Sequence, residues 1–265
     1  MTSNGFSNGL RLAVGTFSAL RVPPPAQVNS SSVRWSLLLV PAVGAGVGLV
    51  GGGVGWVTWW LVGHFTERTM LMAMVVGWLV VGCLVWATRA MHVDGLADLT
   101  DGLGSGQPAE SALAVMRDPR IGAFGALALV VVLSVQASAI AVLIERGTVL
   151  PLLIAVAIAA RAPLAWWTRR GTPQSADGLG RSVVGAFSPA VAAGVLVVWL
   201  SGAVAVGMAV NTALVSAIAV VLGVGVATWL RRRAIRRLGA LTGDTLGACI
   251  EVAATTMLVV LAVAG

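Results

Sequence analysis

In the stretch MHVDGLADLTDG, residues 91 to 102, three aspartates, Asp94, Asp98 and Asp101, fall within eight residues of one another. On a helix they stand at i, i+4 and i+7 and share one face, where like charges repel. Such a cluster is best explained by a divalent cation, and hard carboxylate oxygens with room left for water and substrate phosphates suit Mg²⁺. A cation held there would bridge a diphosphate, neutralise its charge and leave a phosphorus open to a nucleophile. The alternative is a solvated acidic helix end with no chemistry. His92, two residues before Asp94, admits three readings: a general base, a phosphate contact or a group supporting either.

Two further polar stretches belong with this one. MRDPRIGAFG, residues 116 to 125, carries Arg117, Asp118 and Arg120 directly before an apolar run. Arginines facing the aspartates could hold diphosphate oxygens bidentately; as plain inner-leaflet anchors they would do nothing of the kind. RRRAIRRLGALTGDTLGACIE, residues 231 to 251, brings an arginine run and then Thr242, Gly243, Asp244 and Thr245. Thr242 or Asp244 can cap the following helix, and Gly243 and Gly247 allow close approach. Asp244 and Glu251 share a face at i and i+7, and Glu251 lies about two turns into an apolar span, where a carboxylate needs a partner. Arg161 is the other intramembrane charge, with Glu251 or a clustered aspartate as its candidate partner and snorkelling as the alternative.

The elements that must position these groups are membrane helices. The chain has 265 residues, 58% of them hydrophobic and 10% charged, with a mean hydropathy of +0.94. Apolar runs of about 20 residues mark seven candidate spans, at 36–63, 70–88, 122–144, 148–168, 186–206, 208–230 and 246–264. Gly44, Gly48 and Gly52 repeat at the small-xxx-small spacing of close helix packing. Residues 6–20 carry Leu10, Val14 and Phe17 at helical spacing before a tri-proline stop, which predicts a short interfacial helix rather than a signal peptide. The expected fold is therefore all-α: one membrane-embedded domain over 1–265, with a cytoplasmic or interfacial segment at 1–35 and polar loops at 89–121 and 231–245.

Arginine supplies all 17 basic residues, and only Arg68 and Arg146 fall in one set of loops. The positive-inside rule then places the N-terminus and the long polar segments in the cytoplasm and the C-terminus outside. Without lysine, Schiff-base chemistry and a Walker-type phosphate loop are excluded. The formal charge of +7 is spread between apolar runs rather than gathered on one face, so no nucleic-acid partner is expected; lipid is. Cys83 and Cys249 both lie in apolar runs and read as buried thiols. A homo-oligomer is compatible with the chain and is not required by it.

HVDGLADLTDGL (92–103), MRDPRIGAFG (116–125) and TGDTLGACIE (242–251), in that order, resemble cobalamin synthase, the adenosylcobinamide-GDP ribazoletransferase of bacterial vitamin B12 assembly. FSALRVPPP (17–25) and SADGLGRSV (175–183) extend the likeness over essentially the whole chain. The resemblance implies Mg²⁺-dependent attack by a hydroxyl of α-ribazole, or of its 5′-phosphate, on the diphosphate of adenosylcobinamide-GDP in a bacterial cell membrane. GMP would leave. Carried onto this sequence, Asp94, Asp98, Asp101 and Asp244 would form the metal site, with His92 beside them. Arg117, Arg120, Asp118, Arg161, Thr242 and Gly243 would line the substrate. A CDP-alcohol phosphatidyltransferase would need an Ala-Arg pair after Asp-Gly, and an aromatic prenyltransferase an Asn-Asp-xx-Asp arrangement; neither is present. A transporter would gather its acidic residues at the bilayer midplane rather than at one interface.

Overall fold

The computed structural model describes residues 3–175, 178–210 and 213–265. Seven helical stretches are long and apolar enough to cross a membrane, the fourth running from Val149 to Trp167, and among the described residues there is no strand, only one isolated bridge between Gln174 and Leu241. The fold is an all-α polytopic membrane bundle.

The first helix, α1 (Ser3–Phe17), ends three residues before the expected boundary and lies along the start of α2 (Ser30–Phe65). Gly9 permits that contact by sitting against Trp35, and the Phe6 and Trp35 rings meet edge to face with centroids 5.1 Å apart. Asn29 starts α2 by accepting from the backbone N–H groups of Ser31 and Ser32, both at 3.0 Å, while Ser32 Oγ accepts from Asn29 N–H at 2.8 Å. At 36 residues, about 54 Å of helix, α2 exceeds the roughly 30 Å hydrocarbon core and projects past it.

The bundle is built around α7 (Val149–Arg161), which is buried along nearly its whole length. The glycine stripe of α2 makes this possible. A Cβ on Gly44 would stand 2.6 Å from Ala157 O, one on Gly48 2.5 Å from Leu153 O, and one on Gly52 2.8 Å from Leu150 Cα. Backbone atoms occupy those places and cannot step aside. Gly48→Val is therefore expected to destabilise the bundle by about 1–3 kcal/mol, as overpacking does, and to lower its thermal unfolding midpoint in detergent.

The second span ends where its apolar run does, and the aspartate cluster lies on a helix of its own: α3 (Met70–Ala87) ends, Arg89 and Ala90 take left-handed φ values of 52° and 56°, and α4 (Met91–Gly104) follows as a separate helix. Thr88 Oγ1 donates to Leu84 O and Arg89 donates to Gly15 O, which holds the break in place. Two sequence expectations change on folding. The segment 89–121 is largely helical, since α5 (Ala109–Met116) follows α4 and precedes α6 (Ala123–Glu145). The arginine run is not a loop either. After α8 (Leu164–Trp167), α9 (Gly178–Val183) and α10 (Pro189–Met208), the helix α11 (Ala213–Leu238) includes Arg231, Arg232, Arg233, Arg236 and Arg237 before α12 (Gly243–Ala264). Arg231 is buried and donates to Trp167 O at 2.7 Å and Thr172 Oγ1 at 3.2 Å, so it ties α11 to the end of α8.

Candidate active site

Helix α4 crosses the first turn of α12, and Gly95 sets how closely. A Cβ on Gly95 would come 2.8 Å from Asp244 O and 2.9 Å from Asp244 Cα, so only the bare glycine backbone fits. Asp94, the residue before it, is exposed and is brought to the same cavity as Asp244. Thr242 caps α12, its Oγ1 accepting from Thr245 N–H at 3.1 Å and lying 2.9 Å from Thr245 Oγ1. The capping alternative on Asp244 is not used, which leaves its carboxylate to the cavity.

That cavity measures about 370 Å³. Its polar wall is His92, Asp94, Arg117, Thr242, Gly243 and Asp244, and Phe17, Met116 and Ile250 supply apolar surface. Ser175 and Gly178 close one side, where Leu241 N–H donates to Pro173 O at 3.0 Å and joins the loop after α8 to the α11–α12 turn. The SADGLGRSV segment thus borders the site, although Ala176 and Asp177 lie outside the described residues.

Asp98, one turn beyond Asp94, is half-buried, and its carboxyl is pushed up to about 6, first by burial and then by the charges of Asp94, Asp244 and Asp101. The negative charge is thus concentrated where α4 meets α12. Asp101 does something else. Its Oδ2 accepts from Gly122 N–H and its Oδ1 from Gly125 N–H, both at 2.8 Å, in a setting only 9% exposed. Gly122, the residue at the N-cap of α6, offers no side chain, so Asp101 satisfies that helix start from a distance. This departs from the sequence expectation of a third cavity ligand. Asp101→Asn, which sets an amide N–H₂ against one of those donors, should cost about 1–3 kcal/mol of stability, read by thermal unfolding in detergent.

The arginines separate similarly. Arg117 lines the cavity, but Arg120 points to solvent with 87% of its side chain exposed and forks onto Asp118 at 3.0 and 2.8 Å. The Arg120 hydrogen bonds hold the Asp118 carboxyl down at about 2. Neither Asp118 nor Arg120 reaches the cavity as folded, because two residues of spacing let them satisfy each other.

Arg161 is 5% exposed and sits behind the cavity wall, not in it. Its Nη2 lies 3.5 Å from His92 Nδ1, and that same Nδ1 lies 3.8 Å from Glu251 Oε1. Glu251 Oε2 accepts from Gln136 Nε2 at 2.8 Å, and Gln136 also donates to Thr255 Oγ1 at 2.9 Å. The partner expected for Arg161 is therefore reached through His92. Gln136 was missed by sequence reasoning, although an amide in the middle of an apolar span is itself a signal. Burial, and secondly the Arg161 cation, hold the His92 pKa well below the usual histidine range.

Among the described residues no three His, Cys, Asp or Glu side chains converge into a ready-made metal cage. That donor set still suits Mg²⁺, which keeps several waters and is commonly held by one or two carboxylates together with substrate phosphates. Asp94 and Asp244 supply two such carboxylates at a cavity mouth, and Arg117 with the N-terminus of α12 complements added phosphate.

The model of the cobalamin-5-phosphate synthase family matches residues 9–262. The chain belongs to this family. Every residue of the cavity wall falls inside the matched stretch. The chain is 36% identical over 254 residues to an adenosylcobinamide-GDP ribazoletransferase from a Nocardioides species, covering 94% of this chain and 96% of that protein. A relative of the same name from Brevibacillus brevis is 32% identical over 259 residues, 96% and 97% of the two chains, and one from Frankia casuarinae is 34% identical over 263 residues, 95% and 93%. No solved structure matches.

Proposed function

We propose that this cobalamin-5-phosphate synthase family member is an adenosylcobinamide-GDP ribazoletransferase acting at the α4–α12 cavity. The observation that carries the reading is the meeting of Asp94 and Asp244 with Arg117 at one cavity in a chain that matches relatives named for this activity over most of its length. A ribose hydroxyl of α-ribazole, or of its 5′-phosphate, attacks the phosphorus nearer the cobinamide. The new P–O bond forms as the bond to the bridging oxygen breaks, GMP leaves with that oxygen, and the hydroxyl proton passes to a carboxylate or to water. The products are adenosylcobalamin, or its 5′-phosphate, and GMP.

Asp94 and Asp244, with Asp98 beside them, would hold Mg²⁺, which when bound supplies charge neutralisation at the diphosphate. Arg117 takes phosphate oxygens, Thr242 and the first turn of α12 offer donors, and Phe17 and Met116 exclude water on the apolar side. At about 370 Å³ the cavity suits the diphosphate and its immediate neighbours, leaving the corrin ring outside. Because the arginine-rich helix ends lie on this side, the site faces the cytoplasm of a bacterial cell membrane and the C-terminus lies outside. Purified protein in nanodiscs with Mg²⁺ and α-ribazole is expected to convert adenosylcobinamide-GDP to GMP and adenosylcobalamin, followed by chromatography. Turnover of a CDP-alcohol or a prenyl diphosphate in its place would overturn the reading.

A further inference from the structure

His92 is the most deeply buried polar member of the cavity wall. It is 1% exposed, its ring lies 6.1 Å from the Phe17 ring, and among the described residues its Nε2 has no hydrogen-bond partner. A buried polar atom left without a partner is costly, so an orphan at a ligand cavity marks a place where the ligand supplies the partner. The other ring nitrogen fixes which partner that is. Nδ1 lies between a guanidinium and a carboxylate, with Arg161 Nη2 at 3.5 Å and Glu251 Oε1 at 3.8 Å. The guanidinium is the nearer, and it has N–H groups only, so a hydrogen bond to it requires a lone pair on Nδ1. Glu251 Oε2 is already engaged by Gln136, and its Oε1 stands beyond hydrogen-bond reach of the ring. With Nδ1 accepting, a neutral ring carries its single proton on Nε2.

We propose that Arg161 fixes His92 as the Nε2–H tautomer, so that the ring donates a hydrogen bond to a substrate phosphate oxygen and does not act as the general base. Arg161 is then a positioning residue, acting on the cavity through His92, and Glu251 with Gln136 balances its charge inside the bundle. The donor role rests on the diphosphate reading of the cavity, whereas the tautomer stands on the side-chain geometry alone.

The chain has two histidines, so a His64→Gln variant leaves one imidazole to observe. In ¹⁵N-histidine-labelled protein without substrate, the expected spectrum shows a protonated Nε2 and an unprotonated Nδ1. A proton on Nδ1, or on both nitrogens at neutral pH, would overturn the proposal. In Arg161→Met the proton is expected to move to Nδ1, facing Glu251, and in Arg161→Lys to stay on Nε2. An unchanged tautomer in Arg161→Met would remove Arg161 from its positioning role, and the wild-type spectrum decides the tautomer even where that variant fails to fold.

Kinetics test the donor role separately. A glutamine amide N–H can occupy the place of Nε2–H, so His92→Gln should keep transfer within about tenfold of wild type, while His92→Ala should lose about 10²–10³-fold in kcat, the usual loss for one oxyanion donor. If both fall together to the alanine level, His92 works as a base and the proposal fails. A wild-type protein that released no GMP would remove the donor role along with the reading it rests on, and would leave the tautomer to the spectrum.

Discussion

Asp94→Asn should abolish transfer while the protein still inserts and folds. Asp94 is exposed at the cavity, so the isosteric amide disturbs no packing, but it removes one of the two carboxylates that line the cavity. Losing several kcal/mol of transition-state charge stabilisation corresponds to about 10³-fold or more in rate. Single-turnover GMP release, beside a thermal unfolding curve matching wild type, checks both halves. Activity within tenfold of wild type would remove Asp94 from the site. The contrast with Asp101→Asn is informative, because there the geometry points to lost stability first: both carboxylate oxygens are engaged by α6 backbone.

Gly95→Ala is the second large effect, and it comes from one methyl group. Its Cβ would enter space held by the Asp244 backbone, at 2.8 Å from a carbonyl oxygen and 2.9 Å from a Cα. Those atoms belong to the first turn of α12, so the crossing must open by several tenths of an ångström to about 1 Å. Displacements of that size at reacting groups cost about 10²-fold in rate. A drop in kcat near that size, with α-helical circular dichroism unchanged, is the expected outcome. Wild-type kcat would show that the α4–α12 spacing does not govern the chemistry.

Much of this architecture was legible in the sequence, for reasons that differ by element. The seven spans follow from apolar runs that only a bilayer accommodates, and the glycine stripe of α2 follows from its spacing. Asp94 and Asp244 could be singled out because carboxylates are scarce in the chain, and their meeting could be expected only from two separate motifs. The end of α3 could be read from the apolar run stopping at residue 88, but the turn into α4 could not, since Arg89 and Ala90 adopt left-handed backbone angles that their residue types disfavour. Asp101 was read with its neighbours because helical spacing cannot tell a carboxylate facing a cavity from one facing another helix's N-terminus. The short link between Asp118 and Arg120 satisfies both locally, which no pattern of distant motifs reveals. A buried Arg161 had to have a partner, but that the partner would be shared through a histidine depended on packing among α4, α7 and α12.

On the proposed reading, Asp94 and Asp244 together serve a Mg²⁺-dependent transfer at one cavity. Their part in it is read from the Mg²⁺ concentration giving half-maximal GMP release from adenosylcobinamide-GDP, compared between wild type and Asp244→Asn in the same nanodiscs. Wild-type release should cease with chelator and return with Mg²⁺, and Asp244→Asn should require at least about 10–100-fold more Mg²⁺, since losing a group that only supports a metal's ligands already costs that much. Chelator-insensitive release, or an unchanged Mg²⁺ requirement in Asp244→Asn, would contradict it.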